Sequence, residues 1–244
     1  MDNPSPAASS NMTVKTLFDV APTLIPVIGE DSAFPVRRIY CIGRNYAAHA
    51  REMGGDPSRE PPFFFQKPRD SIQVVRPGAV VDHPMPPLTK NYHHEVELVV
   101  ALGSGGRDIA PADALGHVFG YAVGLDMTRR DLQNAMREAK RPWDVGKGFD
   151  NAAPVGPIQP VAQVGHPARG AISAAVNGTV RQNADLADMI WSVAEQIANL
   201  SQAFELKAGD LIFSGTPDNV GAVGRGDVLT AHVDGLPDLT IRIV

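Results

Sequence analysis

Glycine and proline recur along the whole chain, and this distribution limits the fold more than any other feature of the sequence. The 244 residues include 23 glycines and 21 prolines, which are evenly spread and form no repeat or low-complexity block. Turn-forming residues at short intervals divide a chain into many short strands joined by turns. The sequence therefore predicts a strand-rich α+β fold with a few short helices.

The length, the charge and the cysteine content restrict the class of protein. A chain of 244 residues is long enough for one large core, or for a main domain with a small appendage. The formal net charge of -5 at pH 7 gives no indication of a nucleic-acid or anionic-membrane partner. No apolar run approaches a membrane span, and the first residues lack the pattern of a signal peptide. The single cysteine, Cys41, excludes an internal disulfide and fits a reducing compartment, so we expect a cytoplasmic protein.

The N-terminus differs in composition from the rest of the chain. Its first fifteen residues, MDNPSPAASSNMTVK, are rich in proline, serine and asparagine. We expect residues 1–37 to form an N-terminal arm or small segment, and residues 38–244 to form the main domain.

Apolar patterning and turn residues predict the elements of the main domain. Strands are predicted over 39–43, 62–68, 94–103, 116–128 and 210–217, and helices over 45–54, 129–140 and 187–204. Thr128 with Asp131 resembles a capping box at the start of the second helix. Asn177 and Gly178 predict a type I′ turn in a hairpin over 174–183, and a second hairpin is expected to close the chain.

Two carboxylates lie two residues apart in YHHEVELVV, residues 92–100. Side chains alternate along a strand, so Glu95, Glu97 and Val99 share one face. Burying two like charges side by side is costly unless a positive group lies between them, and Mg²⁺ suits this role because it takes oxygen ligands. Two exposed glutamates on a solvated strand face fit the spacing as well, so the pattern alone leaves both interpretations open.

A third acid, Asp126, follows an apolar run in YAVGLDMT and precedes a predicted helix. Acids at the ends of strands often line functional sites. An acid near a helix N-terminus is also favoured by the helix dipole, so Asp126 alone does not decide between the two explanations.

His49 and Glu52 are three residues apart in the helix predicted over 45–54. At this spacing their side chains lie on one helix face. A carboxylate beside an imidazole fixes its tautomer and supports its use as a general base. A surface contact between the two side chains explains the spacing equally simply.

Two glycine-containing segments carry groups that suit an anion. Lys147 is flanked by glycines in VGKGFD and is a candidate for holding an anionic intermediate. In SGTPDNVG, residues 214–221, the backbone amides and the Thr216 hydroxyl are suited to gripping a carboxylate. A solvated lysine and a simple turn are the alternative explanations.

Together and in this order, these segments resemble the fumarylacetoacetate hydrolase family, and within it the acylpyruvate hydrolases. The resemblance covers most of the chain, from about Arg38 to Val244. It is carried by IGRNYAAHAREMG, PFFFQKP, HHEVELVVALG, GYAVGLDMTRRDLQ, RPWDVGKGFD, VNGTVRQ and SGTPDNVGAV. It implies a mixed β-roll core with short peripheral helices, a catalytic domain over 38–244, and a homodimer.

The resemblance also implies roles for individual residues. Mg²⁺ or Mn²⁺ is expected to bind Glu95, Glu97 and Asp126. A dyad of His49 and Glu52 is expected to activate water, with Lys147 close to the substrate. The positions implied to form the substrate pocket are Arg44, Asn45, Tyr46, Gln133 and Thr216.

The implied reaction is hydrolysis of a carbon–carbon bond in a 2,4-dioxo acid. The first expectation is cleavage of fumarylpyruvate to fumarate and pyruvate in gentisate-type aromatic catabolism. The alternatives on the same fold are oxaloacetate decarboxylation and isomerisation of a 2-hydroxy-diene-dioate or related diacid; a non-catalytic metal- or ligand-binding module is the third reading. Presence of both His49 and Glu52 favours hydrolysis.

Two features of the substrate site concern the far carboxylate of the substrate and the loop that contains Asn219. The far carboxylate of fumarylpyruvate needs a cationic partner, for which Arg44, Arg137 and Arg141 are candidates. The family's loop often reads Gly-Thr-Pro-x-Gly-Val-Gly, and here Asn219 replaces the middle glycine, which bears on the backbone geometry of the loop.

Overall fold

The computed structural model describes residues 16–52 and 60–244. Within them the chain forms many short strands. They are β1 (Leu24–Pro26), β2 (Ala33–Pro35), β3 (Arg38–Gly43), β4 (Phe63–Lys67), β5 (Ile72–Val74), β6 (Val80–His83), β7 (Tyr92–His94), β8 (Val96–Leu102), β9 (Val118–Leu125), β10 (Thr128–Arg129), β11 (Ala153–Val155), β12 (Gln159–Pro160), β13 (Ala171–Val176), β14 (Thr179–Asp185), β15 (Asp210–Phe213), β16 (Gly221–Val223), β17 (Val228–Val233) and β18 (Leu239–Ile243).

The helices of the described residues are short. They are α1 (Ala47–Glu52), α2 (Pro111–Ala114), α3 (Arg130–Glu138), α4 (Asp144–Lys147), α5 (Val161–Val164) and α6 (Val193–Ala203). Single 3₁₀ turns occur at Arg69–Ser71, Leu115–His117 and Leu186–Asp188. The predicted strand-rich α+β class is confirmed.

Two large sheets and two small ones make up the β structure. The largest has the strand order β4-β3-β15-β8-β9-β11-β5, with β12 paired to β9, and the second has the order β14-β13-β17-β18-β6. Both are mixed: β3 pairs with β15 and β18 with β6 in parallel, whereas β8 and β9 are antiparallel. A small sheet, β10-β7-β16, extends beside the N-terminal end of β8.

Strand β8 is buried on both faces, and its side chains divide between two apolar clusters. Val96, Leu98 and Val100 pack in the larger cluster, which also takes in side chains of the second sheet and of α6. Val99 and Ala101 point the other way, into a smaller cluster. Odd-numbered residues therefore share one face of the strand, as predicted.

The smaller cluster is covered by an N-terminal hairpin of β1 and β2. Ile25 pairs with Phe34 across this hairpin, and both side chains are buried. Val27 forms a bridge with Ile158, whose backbone N–H donates to Pro26 O at 2.9 Å. The hairpin is thus packed against the main sheet. Residues 1–15 of the N-terminal segment expected over 1–37 lie outside the described residues, and the boundary at residue 38 stays a prediction.

The helix predicted over 187–204 begins later than expected. Met189 and Ile190 fit the helical spacing, but Leu186–Asp188 forms a 3₁₀ turn and α6 starts at Val193. Ser192 caps α6 in a capping box with Glu195, which satisfies backbone N–H groups that the first turn leaves unpaired. Asp185 caps the 3₁₀ turn in a similar box with Asp188, so two successive caps divide the predicted helix.

The capping box predicted at Thr128 is wrong. The residue before α3 is Arg129, and no side chain caps the helix. The Thr128 hydroxyl instead donates to Asp126 O at 3.1 Å, and Asp131 accepts from Thr89 Oγ1 at 2.6 Å. The Thr128 hydroxyl therefore bonds outside the helix, and the Asp131 carboxylate is shared between Thr89, the backbone N–H of Lys90 and the backbone N–H of Leu132 inside the helix. The predicted end of the first helix, at residue 54, lies outside the described residues.

Both predicted hairpins are confirmed. β13 and β14 pair antiparallel around Asn177 and Gly178, whose φ angles of 52° and 78° lie in the left-handed region that a type I′ turn requires. β17 and β18 form the closing hairpin. None of the helices in the described residues has the length and apolar character needed to cross a membrane.

Candidate active site

Three carboxylates meet at one end of the central strand pair. Glu95 joins β7 to β8, Glu97 lies on β8, and Asp126 directly follows β9. The antiparallel register brings the strand ends together, and the Asp126 backbone N–H donates to Glu95 O at 2.8 Å. Each side chain offers an oxygen within 4.8 Å of the others, and all three are buried. The alternative of a solvated strand face is therefore wrong.

Three cationic side chains surround these acids. Lys147, at the end of α4, donates to Glu95 Oε2 at 2.8 Å and to Asp126 Oδ2 at 2.6 Å. Arg130, in the first turn of α3, donates to the other oxygen of Glu95. Lys67 lies with its Nζ 2.8 Å from Asp126 Oδ1 and donates to Lys147 O at 2.5 Å. Lys147 is thus a buried member of the acidic site, and the alternative of a solvated loop lysine is wrong.

The ionisation of the cluster follows from these contacts. Burial acts to raise the pKa of Glu95, but Lys147 and Arg130 hold that pKa well below its usual range. Burial raises the pKa of Glu97 well above its usual range, and the charges of Asp126 and Glu95 raise it further. Burial lowers the pKa of Lys147, but Asp126 and Glu95 outweigh it and raise that pKa above its usual value. Glu97 is the carboxylate whose charge the protein neutralises least.

The donor set fits a divalent cation. Among the described residues, the Glu97 carboxylate accepts one hydrogen bond, from Gly215 N–H at 2.8 Å. Asp126 Oδ1 accepts no hydrogen bond with suitable geometry, although Lys67 is close to it. Buried carboxylate oxygens with unused acceptor capacity are ligands that Mg²⁺ and Mn²⁺ prefer. The three acids could therefore hold a metal ion.

His49 and Glu52 form the contact that their spacing predicts. Both lie on α1, and His49 Nδ1 is 3.0 Å from Glu52 Oε2. The imidazole is buried and lines the same cavity as the three carboxylates, whereas one third of the Glu52 side chain is exposed. The contact thus joins a buried imidazole to an exposed carboxylate, and its role as a dyad stays a prediction.

The loop after β15 closes the other side of the site. Gly215 has a φ of 97°, and a Cβ there would lie 2.6 Å from the Cβ of Asn45, so this position requires glycine. Its N–H reaches Glu97, and Thr216 follows it in the cavity wall. Asn219 has a φ of 63°. Because asparagine tolerates the left-handed region, it can take the backbone geometry of the glycine it replaces.

The cavity at these residues measures about 450 Å³ with its open mouth included. Acidic, cationic and aromatic side chains all line it. The lining residues are Ile42, Gly43, Arg44, His49, Phe63, Phe65, Glu95, Glu97, Asp126, Arg130, Gln133, Arg137, Trp143, Lys147 and Thr216. Arg141 lies in a neighbouring cavity, which shares Phe63, Phe65 and Trp143 with the first.

The predicted substrate positions divide into two groups. Arg44, Gln133 and Thr216 line the cavity, whereas Asn45 and Tyr46 are not among its lining residues. The Asn45 amide donates to Trp191 O and Ser214 O and accepts from Trp191 N–H, so its hydrogen-bonding groups are already used. The substrate roles of all five residues stay predictions.

Known proteins resemble this chain in sequence and in fold. The family model described as fumarylacetoacetate (FAA) hydrolase C-terminal matches residues 38–244. This chain belongs to the fumarylacetoacetate hydrolase family. The crystal structure of fumarylpyruvate hydrolase from Pseudomonas aeruginosa in complex with Mn²⁺ and pyruvate is 55% identical in sequence, with a TM-score of 0.93. That match covers 94% of this chain and 99% of that chain, and it confirms the predicted family and its fold.

Two relatives of this chain have names that denote different activities. Fumarylpyruvate hydrolase from Ralstonia sp is 42% identical over 188 residues, which is 77% of this chain and 95% of that protein. An oxaloacetate tautomerase from Escherichia coli (strain K12) is 39% identical over 212 residues, which is 86% of this chain and 94% of that protein. Similarity alone therefore assigns the family and leaves the substrate open.

Two cationic residues of the site escape prediction from the sequence. Lys67 ends β4 in PFFFQKP, and Arg130 begins α3 in DMTRRDLQ. Each lies inside a segment that carries the family resemblance, but a single cation on a strand or helix has no local pattern that indicates its partner. Their acidic partners, Asp126 and Glu95, are 59 and 35 residues away in sequence, so only the fold reveals these contacts.

Proposed function

We propose that this chain is a metal-dependent hydrolase that cleaves the carbon–carbon bond of an acylpyruvate, converting fumarylpyruvate to fumarate and pyruvate. The observation that carries the proposal is that His49, held by Glu52, lines the same cavity as three buried carboxylates. A cation site suits a 2-oxo acid, and a general base suits the addition of water. Fumarylpyruvate hydrolases at 42% and 55% identity support this substrate class. The place in gentisate-type aromatic catabolism is proposed from the family resemblance.

Glu95, Glu97 and Asp126 would hold the cation, which we propose to be Mg²⁺ or Mn²⁺. When bound, such a cation supplies Lewis-acid stabilisation of the negative charge that develops on a 2-oxo acid as its carbon–carbon bond breaks. A ligand set made only of oxygen atoms accepts both ions. The related Pseudomonas aeruginosa structure, which contains Mn²⁺ and pyruvate, supports a site of this kind.

His49 acts as the general base. A tautomer that donates from Nδ1 to Glu52 leaves Nε2 to accept a proton from water. The water oxygen forms a bond to C4 of the 2,4-dioxo acid, and the bond between C3 and C4 then breaks. The proton taken from water ends on C3, so the products are pyruvate and the released acid. His49 takes up and returns the proton, and Glu52 keeps the imidazole in the required tautomer throughout.

Lys147 and Gln133 donate to the negative charge that develops on substrate oxygens. The Gln133 Oε1 atom accepts from Arg130 Nη1 at 2.6 Å, so the Nε2 end of the amide is the end that can donate. Lys147 is buried and protonated beside the carboxylates. Preorganised donors of this kind in a site shielded from water stabilise a transition state more than they do in solution.

The far carboxylate of fumarylpyruvate is bound by Arg44 and Arg137. Both line the cavity, whereas Arg141 lies in the neighbouring one. Arg137 is on α3, one turn beyond Gln133, and makes no ion pair with any residue of the described ranges. Arg44 lies with its guanidinium 5.9 Å from the ring centroid of Phe63. The cavity that holds the three carboxylates is thus also lined by two cations that suit a second carboxylate.

The assembly is proposed from the family resemblance, and the location from the single cysteine, Cys41, which fits a reducing compartment. We propose a homodimer in the cytoplasm. Light scattering coupled to size-exclusion chromatography would measure the mass in solution, and a mass of about 26 kDa, that of one chain, would contradict the dimer.

The proposed function is tested with purified protein, fumarylpyruvate and Mg²⁺ or Mn²⁺. Formation of fumarate and pyruvate in equal amounts, followed by chromatography, is the expected result. Chelation of the metal with EDTA should abolish product formation. Absence of both products under these conditions, with the metal bound, would overturn the proposal.

Oxaloacetate tautomerisation or decarboxylation is the second candidate function. It is favoured by the 39% identity to the Escherichia coli oxaloacetate tautomerase. Neither reaction needs an attacking water, so the His49 and Glu52 pair would only move a proton. Incubation with oxaloacetate distinguishes the two: accelerated loss of its enol form indicates a tautomerase, and release of carbon dioxide indicates a decarboxylase. A non-catalytic binding module would bind the metal and turn over none of these compounds.

A further inference from the structure

Gln182 is a completely buried side chain to which the proposed mechanism gives no role. It ends VNGTVRQ, a segment that carries the family resemblance, and it lies on β14 of the second sheet. Strand β14 is otherwise largely exposed. A buried polar side chain on such a strand must find its hydrogen-bond partners inside the protein.

A β-bulge turns Gln182 inward. Ala174 of β13 lies opposite Gln182, but the next residue, Ala175, lies opposite Val180, so Arg181 is an extra residue in β14. Val180 and Arg181 are both exposed as a result. Because the extra residue directly precedes Gln182, the alternation of the strand shifts there and the glutamine points towards the site.

The orientation of the Gln182 amide is fixed by its backbone partners. Val96 N–H donates to Oε1 at 3.1 Å, and Nε2 donates to Pro217 O at 2.9 Å. A backbone N–H can only donate and a carbonyl can only accept, so oxygen and nitrogen are assigned without ambiguity. Oε1 also lies 3.0 Å from His94 Nδ1, which must therefore carry its proton. Gln182 Oε1 thus accepts hydrogen bonds from His94 and Val96, the residues on both sides of Glu95.

The nitrogen end fixes the hydroxyl of Thr216. Gln182 Nε2 donates to Thr216 Oγ1 at 2.9 Å. An amide nitrogen does not accept, so the hydroxyl hydrogen of Thr216 must point elsewhere. Thr216 lines the cavity and makes no other side-chain hydrogen bond within the described residues. Its hydroxyl is therefore presented to the cavity as a donor.

We propose that Gln182 is a positioning residue that ties the strand carrying the acidic cluster to the Thr216 loop and turns the Thr216 hydroxyl towards the substrate. The group it serves is a carboxylate, the 2-oxo acid end of the substrate, and on this point the inference rests on the proposed function. Gln182 itself does not touch the reacting atoms. It joins two sheets across the site, so its effect on binding passes through Thr216.

The first test compares Gln182→Met with Thr216→Val. Both variants should raise the KM for fumarylpyruvate by about 10- to 100-fold, the range for a hydrogen bond to a charged group, while kcat falls much less. Gln182→Met should also weaken Mn²⁺ binding, because Val96 N–H beside Glu95 loses its partner. Thr216→Val should leave Mn²⁺ affinity unchanged, and Thr216→Ser, which keeps the hydroxyl, should restore the KM.

A double-mutant cycle separates positioning from general destabilisation. If Gln182 acts on the substrate through Thr216, the KM of the double variant, measured with Mn²⁺ at saturation for each variant, should equal that of Thr216→Val alone within about twofold. Increases that multiply would show that the two residues act independently and would overturn the proposal.

Gln73→Met is the matched control. Gln73 Oε1 lies 2.6 Å from His83 Nδ1, and its Nε2 donates to Asp82 O at 2.8 Å, so it makes the same kinds of hydrogen bond away from the cavity. The Gln73→Met variant should leave the KM for fumarylpyruvate and the affinity for Mn²⁺ unchanged. An equal rise in KM in this control would overturn the positioning role, because loss of any glutamine bridge would then suffice.

Binding of oxalate to the Mn²⁺-loaded protein, measured by calorimetry, separates this inference from the proposed function. If the wild-type protein hydrolyses no acylpyruvate but the variants weaken oxalate binding in the same non-additive way, the proposed function fails and the role of Gln182 stands. If the wild-type protein is active and the effects of the two variants multiply, the role of Gln182 fails and the proposed function stands.

Discussion

Lys147 donates a hydrogen bond of 2.6 Å to Asp126, and both side chains are buried. The ammonium group also reaches Glu95, so a cation of the protein lies between two members of the acidic cluster. The ammonium group stabilises the buried carboxylates. It also competes with any other cation for the same carboxylate oxygens. It also holds a protonated donor in the cavity, where the proposed reaction develops negative charge.

Lys147→Met should lower kcat by about 10²- to 10³-fold, the range for loss of one preorganised donor. Affinity for Mn²⁺ should not fall, because the substitution removes a positive charge beside Glu95 and Asp126. Steady-state kinetics and calorimetry measure the two effects separately. Lys207→Met, at a half-exposed lysine, is the control and should change neither. Loss of Mn²⁺ binding in Lys147→Met would mean that the lysine builds the cation site and has no separate catalytic role.

His49→Ala should lower kcat by about 10²- to 10⁴-fold, because one general base contributes on this order. Mn²⁺ affinity should survive, since His49 contacts Glu52 and makes no hydrogen bond to the carboxylates. His117→Ala is the matched control, because His117 bonds to Ser104 outside the cavity. Unchanged turnover in His49→Ala would exclude the dyad as the base.

Glu97→Gln should have opposite effects on stability with and without metal. Glu97 is buried among like charges, so removing its charge should raise the melting temperature of the EDTA-treated protein, by about 2–4 °C for each kcal/mol gained. Mn²⁺ should stabilise the wild-type protein by about 3 kcal/mol at 100 times its Kd and the variant by less. Differential scanning fluorimetry measures both shifts.

Glu205→Gln is the control for this pair of measurements, because half of the Glu205 side chain is exposed. It should change the melting temperature little in either condition. A Glu97→Gln protein that gains as much stability from Mn²⁺ as the wild type would show that Glu97 is not a ligand.

Local patterns predicted those features that depend on neighbours in sequence. The alternation along β8 places Glu97 and Val99 on one face, and the Asn177-Gly178 turn sets the hairpin of β13 and β14. The capping box at Thr128 failed because the Asp131 carboxylate bonds instead to Thr89, 42 residues away. A local motif is not formed when its side chains find partners that are distant in sequence.

The candidate site was predicted only in part, for the same reason. The three acids can be identified in the sequence because they are charged residues within or beside apolar strands. The family resemblance then assigns them to one metal site. Their cationic partners are not visible: the fold brings Lys67 to Asp126 through the pairing of β3, β4 and their neighbours. Gln182 faces the site because of a bulge, and nothing in the alternation of β14 indicates where that bulge falls.

A buried histidine should make stability depend on pH. His83 is buried between Gln73 and Tyr92, and burial lowers its pKa to about 4. The unfolded chain takes up a proton near pH 6.5 and the folded protein only near pH 4, so stability is present above pH 6.5 and is lost as the pH falls between these values. The loss amounts to about 3 kcal/mol.

Urea unfolding from pH 7 to pH 4 in EDTA measures this loss. His83→Gln removes the titrating group and should flatten the stability profile between pH 6.5 and pH 4, even if it lowers the stability at pH 7. His166→Gln, at an exposed histidine, is the control and should keep the wild-type slope. An unchanged slope in His83→Gln would show that other groups cause the loss.

Arg137→Met should change substrate preference more than turnover. Arg137 lines the cavity beyond Gln133, where the far carboxylate of fumarylpyruvate would lie, so its loss should raise the KM for fumarylpyruvate by about 10- to 100-fold. The KM for acetylpyruvate, which lacks that carboxylate, should stay the same because no partner is lost. Arg141→Met is the matched comparison, since Arg141 lines the neighbouring cavity, and it should affect neither KM. Equal increases for both substrates in Arg137→Met would assign Arg137 to the general shape of the cavity, and a selective effect in Arg141→Met would move the far carboxylate to the second cavity.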